Sequence, residues 1–121
     1  MLIESFYQII SSKEAGSELV SNVLLNKDHE IYQAHFPLNP ITPGVCIVEI
    51  LKAIVSEKFD KELMFNQVSN IKFLKVISPL ETPEIEYHIK HSQTDLGIKV
   101  NVVVKNNESV FTKISGYFKE V

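Results

Sequence analysis

Pro37, Pro40 and Pro43 fall within seven residues, a spacing that no helix or sheet strand accommodates. Each proline fixes its own φ, lacks an N–H donor and pushes the residue before it toward extended geometry. Phe36 to Pro43 are therefore expected to form a stiff, extended loop, ended by Gly44. From Val45 the apolar residues Val45, Val48, Leu51, Ile54 and Val55 recur at spacings of three and four, the pattern of a helix with one buried stripe. That helix is expected from about Val45 to Phe59, closed by Asp60-Lys61-Glu62. A rigid loop thus delivers a glycine to a helix N-terminus.

This arrangement has chemical content. The first N–H groups of a helix lack partners and carry partial positive charge, and glycine lets a ligand approach them closely. Such a site suits an oxyanion or a polarised carbonyl. Glu49 lies one turn into the helix and His35 stands at the loop's entry, so a base, an acid and an oxyanion hole can be assembled from one short stretch. The same residues also fit a plain structural role, with Pro-Gly starting a buried helix, Glu49 on a solvated face and His35 as a loop histidine. Spacing alone leaves both readings open.

His35-Phe36-Pro37, Pro40, Pro43-Gly44-Val45 and Glu49 resemble, with the spacing intact, the motif of the FabZ-type β-hydroxyacyl-acyl-carrier-protein dehydratases of the hotdog fold. Ile71 to Pro79 is similar to a later strand of that family. The chain departs from the pattern at Ala34, where glycine is usual, at Ala53, where glutamine is usual, at Pro79-Leu80-Glu81 in place of Pro-Gly-Asp, and at Lys52 in place of a small residue.

The resemblance implies an α+β hotdog domain over residues 1–121, an antiparallel sheet wrapped around a central helix. It implies dehydration of 3-hydroxyacyl thioesters, carried on an acyl carrier protein, to trans-2-enoyl thioesters. It further implies a homodimer, with room for higher assembly, whose opposite subunits supply the catalytic pair His35 and Glu49. The backbone at Gly44 and Val45 would polarise the thioester carbonyl, and Phe36, Cys46, Ile50 and Phe73 would line the acyl tunnel. No cofactor and no metal are implied. Lys52, three residues after Glu49, is placed to pair with it on the helix surface and to favour the ionised carboxylate. An ionised Glu49 would suit a hotdog thioesterase, which uses a carboxylate to activate water. The altered flanking positions also fit a non-catalytic acyl-binding or assembly subunit of the same fold.

At 121 residues the chain suits one domain with a real core. Hydrophobic residues make up 45% and charged residues 22%, which argues against disorder. The net charge of −3 provides no overall basic footprint for nucleic acid. No apolar run is long enough to span a membrane and no leader pattern opens the chain, so a cytoplasmic protein without membrane partners is the expectation. The single cysteine, Cys46, cannot form an internal disulfide. A helix N-terminus can activate a thiol, but no nucleophile motif accompanies Cys46, which favours packing or tunnel lining. Four histidines and one cysteine show no zinc-ligand spacing.

Around the helix the expected order is a short amphipathic helix over Met1 to Ile10, a turn over Ser11 to Glu18 and a strand over Leu19 to Asn26. His29 is expected in a solvated turn. Phe65 to Lys75 and Glu84 to His91 follow as strands, separated by a turn at Pro79 to Pro83, with His88 and His91 exposed. After a turn at Thr94 to Gly97, Ile98 to Lys105 and Ser109 to Lys119 form a hairpin across Asn106-Asn107. About five strands result. The branched row Val100, Val102 and Val104 is expected at a strand edge that seeks a partner.

Overall fold

The structure, a computed structural model, describes residues 5–34, 38–107 and 109–121. The expectations placed on His35 and Phe36 lie outside the described residues. In chain order the elements are β1 (Tyr7–Ala15), β2 (Glu18–Leu25), α1 (Glu30–Ala34), α2 (Gly44–Phe59), β3 (Leu63–Phe73), β4 (Glu84–Thr94), β5 (Gly97–Asn106) and β6 (Ser109–Glu120). The strands form one antiparallel sheet in the order β1-β2-β4-β5-β6-β3.

The second half follows its period-two pattern closely. Ile85, Tyr87 and Ile89 of β4 and Val100, Val102 and Val104 of β5 are all buried, while their alternate neighbours face outward. These residues meet Cys46, Ile47, Ile50, Leu51, Ile54 and Val55 of α2 in one core. The sheet wraps the helix, the hotdog arrangement expected from the resemblance. The turn from β4 to β5 is tight: Thr94 Oγ1 donates to the Gly97 carbonyl at 2.7 Å, and Gly97 has φ 118. A Cβ there would lie 2.2 Å from the Phe118 carbonyl oxygen, so the position requires glycine.

Several expectations give way. Residues 1–4 of the expected N-terminal helix lie outside the described residues; over the described part, residues 5 and 6 form a turn and Tyr7 to Ile10 open the strand β1, paired with β2, since over so short an apolar run helical and extended periods are hard to tell apart. The expected turn over residues 11–18 shrinks to the link between β1 and β2, and the sheet has six strands rather than five. Val100, Val102 and Val104 do not seek a partner, because β5 is central and the three valines lie beneath α2; the edge strands are β1 and β3. The buried stripe of α2 is broader than the expected one. Leu51, Ile54 and Val55 are buried as expected and Val48 packs against the core, but Val45 is 53% exposed, and Cys46, Ile47 and Ile50 also face the core.

The three described histidines are less solvated than expected. His29 is buried, its ring set edge-on to Phe6 at 5.3 Å, and its Nδ1 accepts the Ile31 N–H at 3.0 Å. It therefore caps α1, an element absent from the sequence reading. His88 Nε2 meets Glu86 Oε1 at 2.8 Å, and His91 packs on Phe59 while reaching Glu14 at 3.0 Å.

Candidate active site

The start of α2 is held from both sides. Thr42 N–H donates to the Ile77 carbonyl at 2.8 Å, which ties the proline loop to the segment after β3. Tyr32 Oη and Thr42 Oγ1 share a buried hydrogen bond of 2.9 Å. Burial pushes the Tyr32 phenol up to about 12, against the opposing effect of Thr42, so it stays neutral. One turn further on, the Tyr87 hydroxyl donates to the Ile47 carbonyl at 2.8 Å from a fully buried site that raises its own pKa well above the ordinary phenol value.

Pro43 precedes the helix in extended geometry and offers no side-chain cap, while its carbonyl accepts from Cys46 N–H and Ile47 N–H at 3.0 and 3.3 Å. The N–H groups of Gly44 and Val45 have no hydrogen-bond partner among the described residues. The first turn carries no acidic residue that would offset the positive end of the helix dipole. Two adjacent donors and an uncompensated partial charge are what a developing oxyanion requires.

These donors adjoin a cavity of about 370 Å³, lined by the loop residues Ile41, Thr42 and Pro43, by Gly44 and Ile47 of α2, and by the stretch from Phe73 to Ile77. Phe73 closes over the helix start. A Cβ on Gly44 would lie 2.7 Å from Phe73 Cζ, so the absent side chain is what lets the ring and the helix approach. Gly44 and Phe73 are thus brought together. Cys46 and Ile50 lie deeper, 1% and 0% exposed, in the core and not among the lining residues of this cavity. Val45 turns its side chain outward.

Glu49 is half-buried on the next turn. Among the described residues no ion pair joins it to Lys52, so the pairing expected on the helix surface is not formed. Its charge is felt by Cys46, whose thiol is pushed up first by burial and then by the Glu49 carboxylate. A thiol disfavoured as thiolate on both counts packs rather than attacks.

Sequence reasoning missed Ile41, Ile47 and the stretch from Leu74 to Ile77 as cavity walls, and Tyr32, Thr42 and Tyr87 as the residues that fix the helix start. It also missed Thr112, buried opposite Phe73 on β6, whose hydroxyl has no partner among the described residues. The available signal was a polar residue at an inward position of an otherwise apolar strand face. Among the described residues no cluster of histidine, cysteine and carboxylates could hold a metal ion.

A family profile described as ApeI-like, ApeI dehydratase, matches residues 11–113. The 3-hydroxyacyl-[acyl-carrier-protein] dehydratase FabZ of Ligilactobacillus salivarius is 30% identical over 105 residues, which cover 81% of this chain and 72% of that protein. The FabZ of Caldicellulosiruptor bescii is 27% identical over 117 residues, covering 91% and 81%. Among solved structures, the dehydratase heterocomplex ApeI:P from Xenorhabdus doucetiae superposes with a TM-score of 0.70 at 13% identity over 92% of this chain and 96% of that one. That likeness is one of fold.

Proposed function

Because the chain belongs to the ApeI-like dehydratase family, we propose that it is a 3-hydroxyacyl thioester dehydratase, a single hotdog domain over residues 1–121, acting on substrate carried by an acyl carrier protein. The observation that carries this reading is the uncapped start of α2, where the Gly44 and Val45 N–H groups have no partner among the described residues and Gly44 lines a mainly apolar cavity. The names of the FabZ relatives support the choice of carrier.

In this mechanism His35 removes a proton from the carbon next to the thioester carbonyl. The Gly44 and Val45 N–H groups take up the negative charge that moves onto the carbonyl oxygen. Glu49, contributed by the other subunit of a homodimer, protonates the departing hydroxyl. The C–H and C–O bonds break, the C=C bond forms and water leaves, so no cofactor is consumed. The acyl chain enters the cavity beside Gly44 along the stretch from Phe73 to Ile77, with Phe36 completing the tunnel wall, and an outward swing of the Phe73 ring opens the way toward Cys46 and Ile50. The exposed edge of β3 is the surface on which a second copy would continue the sheet.

The test is a spectrophotometric assay with 3-hydroxyacyl and enoyl thioesters, following the enoyl absorbance in both directions. Turnover is expected, and Glu49→Gln and His35→Ala, each shown to be folded, should lower kcat by on the order of a hundredfold or more. Release of free thiol without enoyl product would replace this reading with a thioesterase. Tight binding of acyl carrier protein without turnover would replace it with a binding subunit.

A further inference from the structure

Positive charge is gathered on one part of the sheet face turned away from α2. Lys72 of β3, Lys99 and Lys105 of β5, and Lys113 and Lys119 of β6 alternate with inward residues such as Ile71, Val100, Val104 and Ile114. The register sets Lys72 opposite Lys113, and Lys113 in turn opposite Val103, between Lys105 and Asn101 on β5. With strands about 4.8 Å apart and alternate residues about 6.8 Å apart, Lys72, Lys113 and Lys105 are close neighbours that repel one another, and Lys99, opposite Tyr117, and Lys119 extend the same face beyond them.

Among the described residues one carboxylate stands beside this group, Glu86 of β4, directly opposite Lys105. Its bond is to His88 rather than to the lysine, and the other carboxylates of the same face, Glu18 and Glu84, face Lys90 and Leu24 between β2 and β4. The lysine ion pairs among the described residues use Lys27, Lys58 and Lys61, none of them on this surface. A chain of net charge −3 has therefore set Lys72, Lys99, Lys113 and Lys119, none of them in an ion pair among the described residues, on half of one sheet face, against its own overall sign.

The residue types indicate the kind of partner. Protein-docking surfaces centre on arginine and aromatic anchors and are poor in lysine. This sequence contains no arginine, and among the described outward positions of β3, β5 and β6 the one aromatic is the half-buried Tyr117. Lysines are flexible, hydrated point charges without the fork geometry that reads one carboxylate or phosphate. A lattice of them, spaced by Asn101 and Ser115 on a sheet, matches a broad anionic surface whose charges are mobile.

We propose that the outward face of β5, β6 and β3 docks this protein on anionic phospholipid bilayers. The interaction is peripheral, and no helix among the described residues is long and apolar enough to cross a membrane. In the dimer proposed above, the β3 edges would lay two such surfaces side by side.

Co-sedimentation of the purified full chain with vesicles tests this directly and needs no turnover, so a catalytically silent protein can still bind and the dehydratase reading can fail separately. Binding is expected to phosphatidylglycerol-rich vesicles at low salt, not to pure phosphatidylcholine, and to be lost at high salt. The double variant Lys99→Gln, Lys113→Gln should bind about thirtyfold more weakly with an unchanged circular dichroism spectrum. The off-face double variant Lys27→Gln, Lys61→Gln should bind as the wild type does. Absent binding at low salt, equal binding to neutral vesicles, or equal weakening by the two double variants overturns the proposal. So does a Lys99→Gln, Lys113→Gln protein that binds vesicles normally but has a raised KM for substrate on acyl carrier protein, which would assign the surface to protein docking.

Discussion

Gly44 is the residue on which geometry and chemistry converge. Adding a methyl group there has two opposed effects on stability. Alanine gains up to about 1 kcal/mol in helix propensity over glycine, while the new Cβ, 2.7 Å from Phe73 Cζ, forces the ring to move. Phe73 is 56% exposed and can swing outward, so the clash is relieved at modest cost. Gly44→Ala should therefore leave the melting temperature nearly unchanged. The methyl group and the displaced ring would, however, occupy the approach to the Gly44 and Val45 N–H groups. A fall in kcat/KM on the order of a hundredfold is expected, the size of losing one oxyanion donor. A folded Gly44→Ala protein with wild-type kcat/KM would mean that the thioester carbonyl does not approach the helix here.

At the scale of elements, the edge strand β1 is fastened to the rest of the molecule through Glu14. Its carboxylate bonds Lys58 near the C-terminus of α2 and His91 of β4. The Lys58 ammonium holds the Glu14 carboxyl below its ordinary value of 4.5; burial opposes it, and His91 adds a lesser lowering effect. A carboxyl whose folded pKa is depressed contributes stability that is complete above the unfolded pKa and disappears as pH falls through the folded one. Glu14→Gln removes that contribution at neutral pH and has nothing left to lose in acid. The gap in melting temperature between wild type and Glu14→Gln should accordingly be largest near pH 7 and close as the pH drops below about 4.5. A gap independent of pH would show that the glutamate acts through packing alone.

The same strand marks where the sequence stops being readable. Strands β4, β5 and β6 were legible because one face is buried and the other wet, which writes period two into the residue types. The loop and the start of α2 were legible because proline and glycine act locally, whatever surrounds them. β1 is an edge strand, mostly exposed beyond its first residues, and its sequence carries little of that alternation; its conformation is set by the ladder to β2. The stripe of α2 was legible at Leu51, Ile54 and Val55 but not at its first turn, because a helix wrapped by a sheet is apolar over much of its circumference, so spacing alone does not say that Cys46 and Ile47 lie deeper than Val45. His29 and Thr42 owe their burial to neighbours remote in sequence or on other elements, Phe6 and Ile77, and spacing could not reveal either contact.

For the whole molecule the open question is whether one subunit or two builds a site. Sheet order leaves β3 as an exposed edge beside the cavity wall that begins at Phe73, so a second copy paired there would lie next to the substrate site. The proposed mechanism goes further and takes His35 from one subunit and Glu49 from the other. Mixing the inactive variants His35→Ala and Glu49→Gln, with exchange of subunits, separates the possibilities. If each site draws on both chains, a mixed dimer holds one site with both lesions and one with neither. At equal mixing about half the dimers are mixed, so activity should return to about a quarter of wild type. If each chain supplies its own pair, every site keeps one lesion and mixing restores nothing. Recovery would establish that the active unit is the dimer, and would make any substitution that breaks the β3 edge inactivating even with every catalytic residue in place.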